Sequence, residues 1–169
     1  IDLLVNDDTL QIAKLLPHIN KIHTFSYQKK SVNRWSQEKD IFFKLFKQYH
    51  LSINLTSSDR SVLYGLIAGK NTISVVEKDN KKSWWKKKLL SNYYFYDTNQ
   101  HIIIQNLTPL SLLGIESDKV QLSIDASEEA LKNVLEKLKK KNIKDFLIFH
   151  PTAQYHYKML PKILRDELL

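Results

Sequence analysis

The chain has 169 residues, 26 basic against 18 acidic side chains, a formal charge of +8 and an isoelectric point near 9.5. Its 43% hydrophobic and 26% charged content is that of a folded domain rather than a disordered segment, and a chain of this size buries roughly 68–70% of its unfolded surface. The absence of cysteine excludes disulfides, thiolate metal ligands and a cysteine nucleophile, and no apolar run is long enough to span a bilayer.

Ile1-Asp2-Leu3-Leu4-Val5 reads as a buried strand closed by a turn at Asn6-Asp7-Asp8. Asp8 is placed to cap a short helix carrying Leu10, Ile12, Ala13, Leu15 and Leu16 before Pro17. Ile22-His23-Thr24-Phe25 is a second strand. A helix is predicted over 35–49, with Ile41, Phe42, Leu45, Phe46 and Tyr49 on one buried face. Leu51-Ser52-Ile53-Asn54-Leu55 alternates with period two and reads as a strand, followed by the loop Thr56-Ser57-Ser58-Asp59. The next helix carries Val62, Leu63, Leu66 and Ile67 and stops at Gly69, a natural C′ residue. Thr72-Ile73-Ser74-Val75-Val76 is a further strand. Alternating strands and helices predict an α/β fold with a parallel sheet. Glycine occurs only at 65, 69 and 114, never in a strand-to-helix loop, which excludes a P-loop and a GxGxxG fingerprint.

Residues 78–100 break the pattern. Lys78, Lys81 and Lys82 precede Trp84-Trp85, then Lys86-Lys87-Lys88 and Tyr93-Tyr94-Phe95-Tyr96. Interleaved aromatics and lysines suit a nucleic-acid or sugar-phosphate surface. They also suit a loop whose aromatics cap the core while its lysines face water, with one of the adjacent tryptophans buried. Ile102-Ile103-Ile104 has strand propensity, yet Ile103, Leu107, Leu110 and Gly114 fit a helix with a glycine stop, against which Pro109 counts. The helix is favoured, in part through the resemblance given below. A linker with an extended piece over 121–124 leads to an amphipathic helix at about 127–141, with Ala130, Leu131, Val134, Leu135 and Leu138 on its apolar face. Asp145-Phe146-Leu147-Ile148-Phe149 reads as a buried strand entering His150-Pro151-Thr152.

The stretch from His150 to Pro161 is chemically dense and follows a predicted parallel strand, where α/β folds place ligand sites. Thr152 offers a hydroxyl and Lys158 a point charge, a pair suited to phosphate oxygens, although an ordinary loop with a solvated lysine has the same spacing. The six histidines form no HxH or HxxxH pair, and no carboxylate is spaced to complete a metal site. Asp7-Asp8 is a poor match to an Asp-x-Asp metal motif, and no Gly-x-Ser-x-Gly elbow supports hydrolase chemistry. All but three of the 26 basic residues are lysine. The charge therefore reads either as solubility or as attraction to a polyanionic or membrane-surface partner.

Three segments together resemble one family. Ile53-Asn54-Leu55-Thr56-Ser57-Ser58-Asp59-Arg60-Ser61 through Ala68-Gly69 is similar to its "(V/I)INLT-x-x-DR…L-x-AG" segment. Trp84-Trp85-Lys86 through His101, Asn106-Leu107 and Leu113-Gly114-Ile115 is similar to its "WW(R/K)…H…NL…LGI" segment. His150-Pro151-Thr152-Ala153 through Lys158 and Pro161 is similar to its "HPT…K-x-W-P" element, with Leu160 in place of the tryptophan. The chain thus resembles the lipopolysaccharide core heptosyltransferases of glycosyltransferase family nine, closest to the type that adds the branching third heptose.

The resemblance implies the Rossmann-like N-terminal half of a GT-B enzyme. Residues 1–114 would be the acceptor-side domain, 115–142 the interdomain linker and helix, and 143–169 the start of the ADP-heptose-binding domain. It implies inverting transfer of heptose from ADP-heptose to the lipopolysaccharide inner core, with no metal or cofactor. It places Thr152 and Lys158 at the donor phosphates. Asp59, Arg60, Lys81, Lys82, Trp84 and Lys86 would lie on the acceptor side, against inner-core phosphates or anionic lipid head groups; Asp59-Arg60 also reads as a helix cap with a solvated arginine. The implied location is cytoplasmic, peripheral to the inner face of the inner membrane.

A start on Ile1 rather than Met, and an end inside a helical pattern, read as truncation at both ends, with the family's first strand and its catalytic aspartate missing. Such a fragment is expected to be inactive alone. Its sheet is expected to show a gap, a replacement strand or strand-mediated self-association in the middle. Two other readings stay open: a small basic α/β protein binding nucleic acid through 78–96, and a glycolipid-binding half-domain without chemistry.

Overall fold

The computed structural model describes residues 1–27, 34–116, 124–153 and 156–168. The chain divides into two units, Ile1–Ile124 and Asp125–Leu169. In the first, strands and helices alternate as β1 (Asp2–Asn6), α1 (Leu10–Ala13), β2 (Lys21–Phe25), α2 (Arg34–Leu45), β3 (Tyr49–Asn54), α3 (Asp59–Ala68), β4 (Gly69–Val76), α4 (Asn80–Leu89), β5 (Asn92–Phe95) and α5 (Ile102–Leu112). The second contains α6 (Glu128–Lys140), a 3-10 turn at His156–Lys158 and α7 (Lys162–Glu167).

The α/β expectation holds: every strand pair is parallel and helices flank the strands. The strands form two small open sheets, β1-β2 and β3-β4-β5. Among the described residues no strand pairs with the second edge of β1 or of β3. One apolar cluster nevertheless serves both sheets. Ile41 and Leu45 of α2 meet Tyr64 and Ala68 of α3, and Leu4 of β1, Phe25 of β2 and Tyr49 of β3 pack against them. A second cluster joins Val62, Val76 and Leu90 to Leu66, Trp85 and Tyr93, and a third holds Ile73, Val75 and Tyr94. Ile73 and Val75 alternate with Ser74 and Val76 along β4, so that strand is covered on both faces, as a buried parallel strand requires.

Several boundaries differ from the sequence reading, each for a local reason. The helix predicted over 35–49 stops at Leu45. Lys47 adopts φ 52°, its amide donates to the Ile67 carbonyl, and Tyr49 opens β3 instead of closing a helical face. Asp8 does not cap α1; a 3-10 turn at Asp7–Thr9 precedes that helix, and the Asp8 carboxylate accepts from Asn6 Nδ2 at 3.2 Å. Gly69 ends α3, but in extended geometry (φ −96°) rather than as a left-handed C′ residue. Its need is for space, since a Cβ there would lie 2.5 Å from the Asn71 carbonyl oxygen and 2.7 Å from Ser52 Oγ. Gly114 is the left-handed stop (φ +73°), with the Ile115 amide reaching back to the Leu110 carbonyl and that of Gly114 to Ser111.

Residues 78–100, read either as a binding surface or as a loop whose aromatics cap the core, contain α4 and β5. Asp79 caps α4 by accepting from the Lys81 amide at 2.9 Å. Trp85 packs into the second cluster while Trp84 stays 57% exposed, so one tryptophan of the pair belongs to the core.

In the second unit Ser127 caps α6, accepting from the Ala130 amide at 3.2 Å, and Asn142 (φ 51°) ends it. The strand predicted at 145–149 does not form: Leu147 and Ile148 are 85% and 82% exposed in irregular backbone. A strand is held by hydrogen bonds to a neighbour, and this unit contains no other strand among its described residues. The extended piece expected over 121–124 lies, apart from Ile124, outside the described residues.

Candidate functional site

The C-terminal ends of β3 and β4 and the helices leaving them bring two of the singled-out segments together. After β3 the chain turns on Asn54, whose Nδ2 donates to the Thr56 carbonyl at 2.6 Å and to Ser74 Oγ on β4 at 2.8 Å. Ser58 then caps α3, accepting from the Ser61 amide at 3.3 Å. Asp59 and Arg60 thus occupy the first turn of α3, where an acidic residue suits the helix dipole. Neither is the cap itself.

Lys86 is the centre of this end of the sheet. Its side chain is 1% exposed. The ammonium donates to the Ser57 carbonyl and forms ion pairs with Asp59 at 2.8 Å and Glu77 at 2.9 Å. Its three N–H bonds thus face three acceptors. Burial opposes the charge, but the hydrogen bonds and ion pairs with Asp59 and Glu77 outweigh it and raise the Lys86 pKa above the usual lysine value. Lys86 therefore clips the β3–α3 loop, the end of β4 and α4 into one body. Expected on the acceptor side, it points inward in this structure, while Asp59 beside it is 70% exposed at the rim.

Arg60 turns the other way. It pairs with Glu38 of α2 at 2.8 Å, donates from Nε to the Tyr64 hydroxyl at 2.7 Å, and lies 5.0 Å from the centre of the Phe25 ring. It is not a solvated arginine. Tyr64 in turn donates to Glu38 at 2.6 Å, and burial together with that carboxylate pushes its pKa up to about 12. Arg60 thereby ties α3 to α2 and to the end of β2.

The remaining candidates are open to solvent. Lys81 and Lys82 are exposed in the first turn of α4. Trp84 stands beside them on the same helix, with Lys88 Nζ 5.4 Å from its ring centre. In the second unit Thr152 is exposed in irregular backbone, and Lys158, exposed in the 3-10 turn, lies 5.6 Å from the Tyr157 ring centre. Among the described residues no group of three His, Asp or Glu side chains is arranged to hold a metal ion. No helix among them is long and apolar enough to cross a membrane.

Comparison of the chain with protein-family models, curated proteins and solved structures finds no match.

Glu77 and Glu38 were not singled out in the sequence, yet they fix the two cations that organise this end of the fold. Glu77 carried a weak signal, as an acidic residue just past an apolar strand. Glu38 carried none, since its partner is 22 residues away in sequence.

Proposed function

We propose that the chain is the acceptor side of a GT-B glycosyltransferase of the heptosyltransferase kind, together with the first part of its donor domain. The observation that carries this reading is the convergence at Lys86. Two separate motif-like segments, Asn54 to Arg60 and Trp84-Trp85-Lys86, meet at the C-terminal end of a parallel sheet, the end where α/β folds bind ligands. The exposed carboxylate of Asp59 and the exposed Lys81, Lys82 and Trp84 of α4 then offer an acceptor surface suited to sugar hydroxyls and phosphates.

In the proposed reaction a base takes the proton from an acceptor heptose hydroxyl. Its oxygen attacks the anomeric carbon of ADP-heptose from the face opposite the leaving group, and the C–O bond to ADP breaks with inversion. Thr152 and Lys158 would stabilise the charge gathering on the departing diphosphate. Acceptor binding at this end of the sheet tests the reading directly. Calorimetric titration with lipid-free inner-core oligosaccharide is expected to show saturable binding that Lys81→Ala/Lys82→Ala weakens. Binding of single-stranded RNA with a steep salt dependence, and none of the oligosaccharide, would replace it with the nucleic-acid reading.

A further inference from the structure

We propose that the cleft between β2 and α2 binds a small phosphate monoester of a polyol, with the phosphate held by Lys21 and Lys44 and the polyol by Asp40 and Ser36. None of the residues placed on the acceptor side lines this cleft, so it stands apart from the glycosyl-transfer reading.

The cleft has a volume of about 630 Å³, within the range of roughly 300–1,000 Å³ usual for small-molecule sites. Its walls come from two consecutive elements, residues 21–24 of β2 and 36–45 of α2. Its floor is fixed, since Ile41 and Leu45 are buried in the cluster with Tyr64 and Ala68. One end is fixed as well. Gln37 accepts from the Ser26 amide at 2.7 Å and donates to the Ser26 carbonyl at 3.1 Å, which ties α2 to the chain just past β2. A cleft whose floor and width are set in advance loses little freedom on binding.

Lys21 and Lys44 line it from the strand and the helix, and among the described residues neither forms an ion pair. Both reach the same imidazole: burial, then Lys21 and more weakly Lys44, lower the His23 pKa against the pull of Asp2. Two unpaired ammonium groups around one ring favour an anion, and a lysine is a compact point charge that suits phosphate oxygens. Asp40 stands one helical turn before Lys44 and is not paired with it. Its carboxylate repels a phosphate but accepts from hydroxyls, as the Ser36 hydroxyl also can. The ligand is thereby oriented, phosphate toward the lysines and hydroxyls toward Asp40 and Ser36. An inorganic anion alone would leave most of the volume to water.

His23 adds a contact linked to a proton. The Tyr49 hydroxyl of β3 gives its proton to Asp2 Oδ2 of β1 at 2.7 Å, and burial together with that bond pushes its pKa up to about 12. Its oxygen therefore accepts from His23 Nε2 at 3.1 Å, and Nδ1 is the ring nitrogen without a partner among the described residues. In the neutral ring Nδ1 presents a lone pair. A phosphate beside it favours the imidazolium, whose Nδ1–H becomes a third donor. The charged and titratable groups around the ring are Asp2 of β1, Lys21 of its own strand, Tyr49 of β3, and Asp40 and Lys44 of α2.

The test is titration of the 169-residue chain with myo-inositol monophosphate, followed by calorimetry and by the histidine Cε1–H signals in NMR. Saturable binding is expected, with His23 titrating about one pH unit higher in the complex and His50 and His101 unmoved. Lys21→Gln and Lys44→Gln are each expected to weaken binding about tenfold. Lys70→Gln, at an exposed lysine of β4, is expected to leave it unchanged. Asp40→Ala is expected to weaken binding of the ester but not of inorganic phosphate. All four side chains are exposed, so these substitutions leave the apolar clusters intact. No saturable binding, equal losses for Lys44→Gln and Lys70→Gln, or a His23 signal that ignores the ligand overturns the proposal. So does inorganic phosphate binding as tightly as the ester, which reduces the cleft to a bare pair of cations. Binding of phosphatidylglycerol vesicles without binding of the free ester overturns it too, and makes these lysines part of a membrane surface.

Discussion

Replacing Lys86 with methionine tests whether the clip holds this end of the sheet. Removing one partner of a fully buried ion pair costs about 3–5 kcal/mol because the other is left charged and dry. Here the stranded carboxylates are not dry: Glu77 is 33% and Asp59 70% exposed. Both rehydrate, which puts the electrostatic loss below that range, while the abandoned Ser57 carbonyl adds about 1 kcal/mol. The expected loss is about 2–3 kcal/mol, or a fall of about 1–2 M in the urea midpoint. The partners should rank by burial, with Glu77→Gln costing about 1–2 kcal/mol and Asp59→Asn at most about 1 kcal/mol. The triple variant Asp59→Asn/Glu77→Gln/Lys86→Met leaves no unpaired anion and should recover part of the loss, a coupling that denaturation of the parent and the four variants measures. A Lys86→Met protein within about 0.5 kcal/mol of the parent, or Asp59→Asn costing more than Glu77→Gln, would refute the reasoning.

Gly69→Ala and Gly114→Ala separate two glycine requirements. At Gly69 the new Cβ collides with backbone, so a loss of about 2–3 kcal/mol is expected; at Gly114 it meets nothing within 4 Å and only the left-handed φ is penalised, about 1 kcal/mol. Equal losses in urea denaturation would contradict this. Burial, then Lys21, lower the His23 pKa below 6.5 against the opposing pull of Asp2. The unfolded chain therefore takes up the proton first, so the His23 contribution is present above pH 6.5 and is lost as pH falls through the folded pKa. Denaturation at pH 7.5 and 5.5 should show a larger drop for the parent than for His23→Gln, and equal drops would remove the link.

Elements whose signals are local were legible. The apolar spacing of 130–138 gave α6, and the alternation around Ile53 gave β3. Elements that depend on a distant partner were not. The apolar residues of α4 are only Trp84, Trp85 and Leu89 among lysines, too few to mark a helical stripe. That helix rests on the Asp79 cap and on Trp85 packing beneath Val62 and Val76. Tyr49 continued a helical spacing from Ile41, but a left-handed Lys47 and its bond to Ile67 intervene. At the site, Asp59 and Lys86 were recognisable from motif-like spacing, whereas the buried, inward role of Lys86 follows from Glu77 and Ser57, which spacing does not connect to it.

Two segments of similar composition show what propensity leaves undecided. Asp2-Leu3-Leu4-Val5 and Asp145-Phe146-Leu147-Ile148 both read as strands, yet only the first becomes one. The difference is a partner: a short crossover through α1 returns β2 to pair with β1 residue by residue, from Asp2 opposite Lys21 to Asn6 opposite Phe25. Backbone polar groups must be bonded to protein or to water, so a strand-prone segment without a neighbour stays hydrated and irregular, as 145–149 does. Among the described residues β1 and β3 stand between these cases, each paired along one edge only. Their helix layer is already built, with Leu4 and Tyr49 packed on the same cluster.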